Sequence, residues 1–239
     1  MGTCWTSRNR LLLYTGVYTP VKCIGWCFAP VLPGYILGFV NPGANNTFFD
    51  SEPGGRVAAP GSLALVQAFV NTVAEEGQHR WEAFSGPTSL RHWLVRNGLL
   101  GEEEAVGKAD VVWAKEVRRG LRSLLAANNG GEVDPGALDT LNRAAVRTAL
   151  LVRFGPTGRA AIEAGAEGVE GAIGTVLEGV VAGMEDGTWG RLKTCANAGC
   201  GWAFYDRSRN RSGRWCSMDV CGNRAKTRTY RRRASVHEG

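Results

Sequence analysis

Four cysteines near the C-terminus have the residue type and the spacing of a metal site. Cys195 and Cys200 are separated by four residues, and so are Cys216 and Cys221. Thiolate is a preferred ligand of Zn²⁺, and two close pairs can supply opposite edges of a tetrahedron. Two equal gaps within 27 residues favour one structural zinc ion, although the commonest gap is shorter. The alternative for the same residues is two disulfides.

The remaining chemistry of the chain argues against disulfides and against catalysis. A chain of 239 residues can build a core without staples, and no clear export signal is present, so we expect reduced thiols in the cytoplasm. Catalytic zinc needs an open coordination position, which four cysteines do not leave. His79 and His92 lie thirteen residues apart without a paired carboxylate motif. We therefore expect no enzymatic activity.

Basic residues crowd around the cysteines. Residues 191–233 contain twelve Lys and Arg against two acidic residues, whereas the rest of the chain has 16 basic and 20 acidic residues. This asymmetry favours a polyanionic partner, with a solvated basic terminus as the alternative. The predicted nucleic-acid contacts are Arg207, Arg209, Arg211, Arg214, Asn223, Arg224, Lys226, Arg228, Arg231 and Arg232.

The segment after Cys221 contains no proline and is predicted to form a basic helix. On a helical period, Arg224, Arg228, Arg231 and Arg232 fall within about a third of the circumference. Such a row can meet successive phosphates, and Arg can also bind a guanine edge in the major groove. DNA is favoured over RNA as the partner. An RNA-binding module and a protein-interaction module with an acidic partner remain the alternatives.

The elements that precede the cysteines are mainly helical, with one β-hairpin. The predicted elements are a helix with the stripe Leu63, Val66, Val70 and Val73; a helix from about Ser89 or Leu90 to Asn97-Gly98; a helix after the acidic turn Glu102–Glu104, ending at Asn128; a helix from Asp134-Pro135 to about Leu150, with Leu138, Leu141 and Ala145 inward; a hairpin over 151–164; and a helix with the stripe Val169 to Met184. The predicted fold class is mainly α with a small β-hairpin (α+β). A small treble-clef-like or ribbon-like zinc finger then follows the helical domain and ends in the basic helix.

The first 59 residues differ in composition from the rest. Their apolar stretch is interrupted by glycine and proline, so we expect no membrane span there. Residues 1–59 are interpreted as an N-terminal extension or linker. One hypothesis is that the start site has been assigned too far upstream.

Several motifs resemble a known family. Leu192-Lys193-x-Cys195, Phe204-Tyr205-Asp206, Trp215-Cys216-Ser217 and Cys221-Gly222-Asn223-Arg224 closely resemble the CGNR zinc finger. The body, with Phe69-Val70-Asn71-Thr72 and Trp93-Leu94, resembles the ABATE domain of bacterial stress-induced transcription regulators.

This resemblance implies an ABATE-like domain over 60–188 and a CGNR-type finger over 189–235. It implies that the four cysteines are ligands of one zinc ion and that Asn223 and Arg224 are motif residues. The expected function is a DNA-binding transcriptional regulator whose body senses a signal or forms oligomers. A homodimer and a small-molecule effector are the further partners that we expect.

Overall fold

The computed structural model describes residues 57–76, 79–197 and 199–237. The predicted extension therefore lies outside the described residues, except for residues 57–59. The elements follow in this order: α1 (Leu63–Val70), β1 (Val73–Glu76), β2 (His79–Glu82), α2 (Pro87–Arg96), α3 (Lys108–Ala127), α4 (Pro135–Arg147), β3 (Leu150–Phe154), β4 (Ala160–Ala164), α5 (Gly168–Glu185), a 3₁₀ turn (Trp189–Arg191), β5 (Leu192–Thr194), β6 (Ala203–Tyr205), a π turn (Met218–Gly222) and α6 (Asn223–His237).

The predicted fold class is confirmed, because helices dominate and the described strands pair as small antiparallel hairpins. These hairpins are β1–β2, β3–β4 and β5–β6. Across residues 57–76, 79–197 and 199–237, no helix combines the length and the apolar character that crossing a membrane requires.

The core of the body lies where α1, α3 and α5 meet. The facing side chains are Leu63, Val66, Phe69 and Val70 from α1; Val117, Leu121 and Leu125 from α3; and Ile173, Val176 and Val180 from α5. Burial of each such side chain is worth about 1.5–3 kcal/mol. A Cβ at Gly183 would stand 2.7 Å from a methyl carbon of Leu63, so glycine at this position lets α1 approach α5 closely.

Helix α1 ends earlier than its apolar spacing predicts. Val73 does not continue the helix but begins β1, and it pairs with Glu82 of β2. The reason lies in the two polar residues between. Asn71 is the C-cap, and Thr72 Oγ1 donates to the Phe69 carbonyl at 2.6 Å, which competes with further helical hydrogen bonds. Val73 is buried in either conformation, so its apolar character alone could not distinguish them.

Helix α3 begins later than predicted. The acidic residues Glu102–Glu104 lie in the preceding loop, where Glu104 Oε1 accepts from the Gly101 amide at 2.8 Å. The acidic residue in the first turn is Asp110, whose Oδ2 accepts from the Gly107 amide at 2.8 Å. A carboxylate at this position pairs with the free amides and the dipole of the helix start. The predicted end at Asn128 is confirmed.

Local sequence signals located the end of α2 and the start of α4 correctly. Helix α2 starts at Pro87, two residues before the predicted start, and it ends at Asn97-Gly98 as predicted. Helix α4 begins at Asp134-Pro135 as predicted, and Asp134 Oδ1 accepts from the Gly136 amide. Its inward residues are Ala137 and Ala144, whereas Leu138 is 42% exposed, so the predicted inward face was wrong at Leu138.

The β3–β4 hairpin and α5 match their predictions. Strand β3 pairs in register with β4 from Leu150–Ala164 to Phe154–Ala160, and β4 packs on α5. Helix α5 buries the predicted stripe as far as Val180, whereas Met184 at its end is 49% exposed.

The β5–β6 hairpin joins the cysteine-bearing unit to the body. Side chains in a strand alternate between faces. Leu192, Ala203 and Tyr205 belong to the core of the body. Phe204, between two of them, packs with the cysteines instead. One short hairpin is therefore shared by two apolar clusters.

Candidate metal centre and basic surface

The first cysteine pair lies in the turn of the β5–β6 hairpin. Cys195 follows β5 directly, and its amide donates to the Trp202 carbonyl at 2.8 Å. The Cys200 amide donates to the Asn197 carbonyl at 2.9 Å, which folds the turn back on itself. Gly201 has a φ of +59°, a left-handed conformation that glycine adopts without steric cost. These contacts turn both sulfur atoms toward the same point.

The second pair lies at the start of α6. Cys216 precedes the π turn, and Cys221 lies within it, so the sulfur atoms come from the first turns of a helix. Ser217 Oγ accepts from the Val220 amide at 3.3 Å and closes this turn. Two ligands from a hairpin turn and two from a helix start give the treble-clef-like form of the two predicted alternatives.

The four sulfur atoms form a compact cluster. All of them lie within 4.8 Å of one another, and Cys216 Sγ is 3.6 Å from both Cys200 Sγ and Cys221 Sγ. A tetrahedral site with Zn–S bonds of about 2.3 Å requires sulfur separations of about 3.8 Å. The measured distances exceed an S–S bond of about 2.05 Å, and all four cysteines are free thiols. The donor set therefore fits one zinc ion, and these residues would hold it.

The protonation of the thiols shows why a cation suits this cluster. Hydrogen bonds from Cys200 and Cys216 lower the pKa of Cys195. Hydrogen bonds with Cys195 and Cys200, together with burial and the nearby thiolate charge, raise the pKa of Cys216. A divalent cation removes this conflict, since it stabilises all four thiolates at once.

Asn197 connects the cysteine turn to the basic helix. Its Nδ2 donates to Cys221 Sγ at 3.7 Å, and its Oδ1 accepts from Arg228 Nη2 at 2.9 Å. Asn197 is buried, although it lies in a turn between two ligands. The side chain thus contacts a ligand from the other pair and also fixes the direction of α6.

A buried ion pair shapes the arginine-rich loop over 207–214. Lys193 Nζ donates to Asp206 Oδ2 at 2.8 Å, and both side chains are almost fully buried. Lys193 also donates to the carbonyls of Arg211 and Gly213. Burial disfavours the charged carboxylate of Asp206, but hydrogen bonds from Lys193, Ser208 and Gly213 outweigh it and lower its pKa to about 2. The loop is therefore folded around a fixed charge pair.

The structure places most of the predicted nucleic-acid contacts at the surface. Among the described side chains of this unit, nine basic residues are exposed: Arg207, Arg209, Arg211, Arg214, Arg224, Lys226, Arg228, Arg231 and Arg233. Asn223 is exposed as well, and its Nδ2 donates to the Asp219 carbonyl at 3.0 Å. The side chain of Arg232 lies outside the described side chains.

Two of the predicted contact residues also have roles inside the protein. Arg207 donates to the Ala58 carbonyl at 2.7 Å and lies over the Tyr205 ring. Arg228 holds Asn197, so the predicted arginine row on α6 includes a residue that faces the cysteine turn. Arg191 and Lys193 likewise serve the loop, since Arg191 donates to the carbonyls of Asp206 and Ser208.

The body holds the hairpin through a seam of side-chain amides and arginines. Asn71 Nδ2 donates to the Ala203 carbonyl at 2.9 Å, and Asn71 Oδ1 accepts from the Ala203 amide at 2.8 Å. The side chain thus pairs with β6 as a neighbouring strand would. Arg122 of α3 donates to the Gly201 carbonyl and, at 2.9 Å, to the Val70 carbonyl.

The end of α3 completes this seam. Asn128 Nδ2 donates to the carbonyls of Trp189 and Leu192, and Asn129 Nδ2 donates to those of Thr194 and Arg214. From the sequence, both residues indicated only a helix end. One residue is enough to cap a helix, so the second of two consecutive asparagines was the signal in the sequence for a role beyond capping.

A helical body that carries a finger of four thiols and an exposed basic helix defines a zinc-finger protein. The model of the CGNR zinc finger matches residues 191–234. The model of the ABATE family, described as "putative stress-induced transcription regulator", matches residues 63–187. This match covers more than half of the chain, so the protein belongs to the ABATE family, and its CGNR zinc finger is able to bind one zinc ion. No curated protein matches the chain.

Proposed function

We propose that this protein is a DNA-binding transcription regulator whose finger contacts the DNA. The observation that supports the proposal is the set of nine exposed basic side chains on the 207–214 loop and α6. Of the two acidic residues of this unit, Asp206 is already paired with Lys193 inside the fold, which leaves Asp219 to offset them. The family match to transcription regulators supports the same function.

The shape of the basic surface favours duplex DNA. Helix α6 has 15 residues, which corresponds to a length of about 22 Å, and the major groove of B-DNA admits an α-helix. Arginine can bind the guanine edge there with two hydrogen bonds. The deep, narrow major groove of an RNA duplex does not admit side chains in this way.

We further propose that the zinc ion is structural and that the protein is not an enzyme. Four thiolates complete the tetrahedron, so no position is left for a water molecule or a substrate. We assign the protein to the cytoplasm, since four reduced thiols persist in a reducing compartment. The helical body would serve as the sensing or oligomerising unit.

The salt dependence of DNA binding tests the proposal. With the zinc-loaded full chain and a labelled duplex, log Kd should rise linearly with log salt, with a slope of about 0.9 per phosphate contacted. Lys226→Ala and Arg231→Ala should each lower that slope by about 0.9. Fluorescence anisotropy at several salt concentrations measures both quantities.

A matched control and a competition complete the test. Lys108→Ala removes an exposed charge at the start of α3, in the body, and should leave the slope unchanged. Structured RNA should compete more weakly than duplex DNA of the same length. Binding that ignores salt, or a preference for RNA, would contradict the proposal.

A further inference from the structure

The body contains a cleft far along the chain from the cysteines. It has a volume of about 620 Å³ and lies between the end of β2 and helix α2. Trp81, Pro87 and Trp93 provide its apolar walls, and Glu82, His92 and Arg96 provide charged and polar atoms. Clefts of about 300–1,000 Å³ with apolar walls and a few polar groups are typical of small-molecule sites.

The floor of the cleft is rigid and aromatic. The Trp93 ring lies 5.7 Å from the rings of both Phe69 and Phe84, measured between centroids, so its orientation is fixed by the core. Trp93 is only 4% exposed, so the accessible indole of the cleft is Trp81 at the end of β2, which is 36% exposed. An exposed indole beside this rigid floor favours a flat aromatic ligand, because such a ligand can stack on it without ordering mobile side chains.

The charge of the cleft favours an anion. Arg118 donates to both carboxylate oxygens of Glu82, and the Phe84 amide donates to one of them at 2.9 Å. These contacts outweigh the effect of burial and lower the pKa of Glu82, which stays ionised and occupied by its partners. Glu82 is therefore a poor counter-ion for a cationic ligand.

Basic donors line the other side of the cleft. His92 and Arg96 are four residues apart on α2, so they lie on one face of the helix, one turn apart. A guanidinium has five N–H donors, so Arg96 can bind a carboxylate in addition to its existing neighbours. The hydroxyls of Ser85 and Ser89 bond to each other, and the Ser89 hydroxyl also bonds to the Gly86 backbone, which leaves charge rather than hydroxyl chemistry to select the ligand.

From these contacts we propose that the cleft between β2 and α2 binds a small planar aromatic carboxylate. The ligand's rings stack on Trp81, and the carboxylate faces Arg96 and His92. This site is independent of the zinc finger, and its test does not involve DNA.

Titration calorimetry with 2-naphthoate and the zinc-loaded full chain tests the site. We expect saturable binding of 2-naphthoate at one site per chain. The neutral 2-naphthamide should bind at least about tenfold more weakly, since a charge-assisted hydrogen bond is lost. Arg96→Gln should weaken the binding of 2-naphthoate by about tenfold or more, whereas Arg96→Lys should retain most of it. Trp81→Ala should weaken both probes.

The control is Arg159→Gln, which removes an exposed arginine from the turn of the β3–β4 hairpin. It should bind 2-naphthoate as the unaltered protein does. Circular dichroism confirms that each variant is folded, and the comparison of 2-naphthoate with 2-naphthamide keeps the test decisive if Arg96→Gln does not fold. The proposal is overturned if 2-naphthoate shows no saturable binding, if the amide binds equally well, or if Arg96→Gln binds like Arg159→Gln.

Discussion

Asn197 illustrates how a single buried amide can link a metal site to a binding surface. Its Nδ2 meets the sulfur of Cys221, and its Oδ1 holds Arg228 of α6. Groups that hydrogen-bond to metal ligands orient those ligands and tune the affinity for the metal. The position of the basic helix and the strength of the zinc site therefore depend on the same side chain.

Replacement of Asn197 should weaken zinc binding. Asn197→Ala removes the hydrogen bond to Cys221 Sγ, and such outer contacts are typically worth about 10–100-fold in metal affinity. Competition with a chromophoric chelator measures the change. Asn210→Ala, in the exposed loop, is the control and should bind zinc normally. Equal affinities for the two variants would remove Asn197 from the metal site.

The buried pair of Lys193 and Asp206 leads to a second expectation at this scale. Asp206→Asn leaves the Lys193 ammonium buried without its carboxylate, which should cost about 3–5 kcal/mol of folding free energy. Urea unfolding of the zinc-loaded chain measures it. Asp139→Asn, on the exposed face of α4, should change the free energy of unfolding by less than about 0.5 kcal/mol. A similar small loss for Asp206→Asn would show that the pair does not hold the loop.

At the scale of elements, local signals and long-range contacts differ in what a sequence reveals. Asp134-Pro135 marked the start of α4 because a cap acts within one turn. The basic helix after Cys221 was predictable because the segment contains no proline to interrupt it. Val73 was assigned wrongly, because a helical stripe and a buried strand residue look alike over a few positions. The cysteine cluster was predictable from its spacing, since metal ligands must come from residues of few types.

Asn71 and Ala203 could not be paired from the sequence, because 132 residues separate them. The motif that contains Asn71 was recognisable, but its role depends on where β6 comes to lie. The Asn71 side chain thus makes the two hydrogen bonds to β6 that a neighbouring strand would otherwise make.

Loss of the Asn71 amide should destabilise the contact between body and hairpin. Asn71→Ala leaves the amide and carbonyl of Ala203 without their buried partners, at about 1–3 kcal/mol for each group. Thermal unfolding of the zinc-loaded chain should show a clear decrease in Tm. Asn142→Ala, at an exposed position of α4, should leave Tm nearly unchanged. If both variants melt together, the paired hydrogen bonds contribute no net stability.

At the scale of the whole molecule, zinc binding and the body's core are linked. Leu192, Ala203 and Tyr205 pack in the core, while the adjoining turn carries Cys195 and Cys200. Zinc binding stabilises the folded finger, because the metal binds only the folded state. Since the hairpin belongs to both clusters, zinc binding also stabilises the packing of the hairpin on the body.

Removal of zinc should therefore destabilise the body as well as the finger. We expect a chelator to lower the midpoint of a single unfolding transition and to speed amide hydrogen exchange in α1 and α3. Cys216→Ser should behave like the chelated protein even when zinc is present. Unchanged exchange in α1 and α3 after chelation would show that the two parts unfold separately.

The pairing of Asn71 with β6 also bears on how such chains can be inherited. A finger transferred alone to another protein would leave the Ala203 backbone without its partner and would expose Leu192 and Tyr205 to water. A body that lost its finger would lose the hairpin side chains that complete its core. Recombination that separates residues 63–187 from residues 191–234 should therefore destabilise both parts, so we expect the two segments to be inherited together.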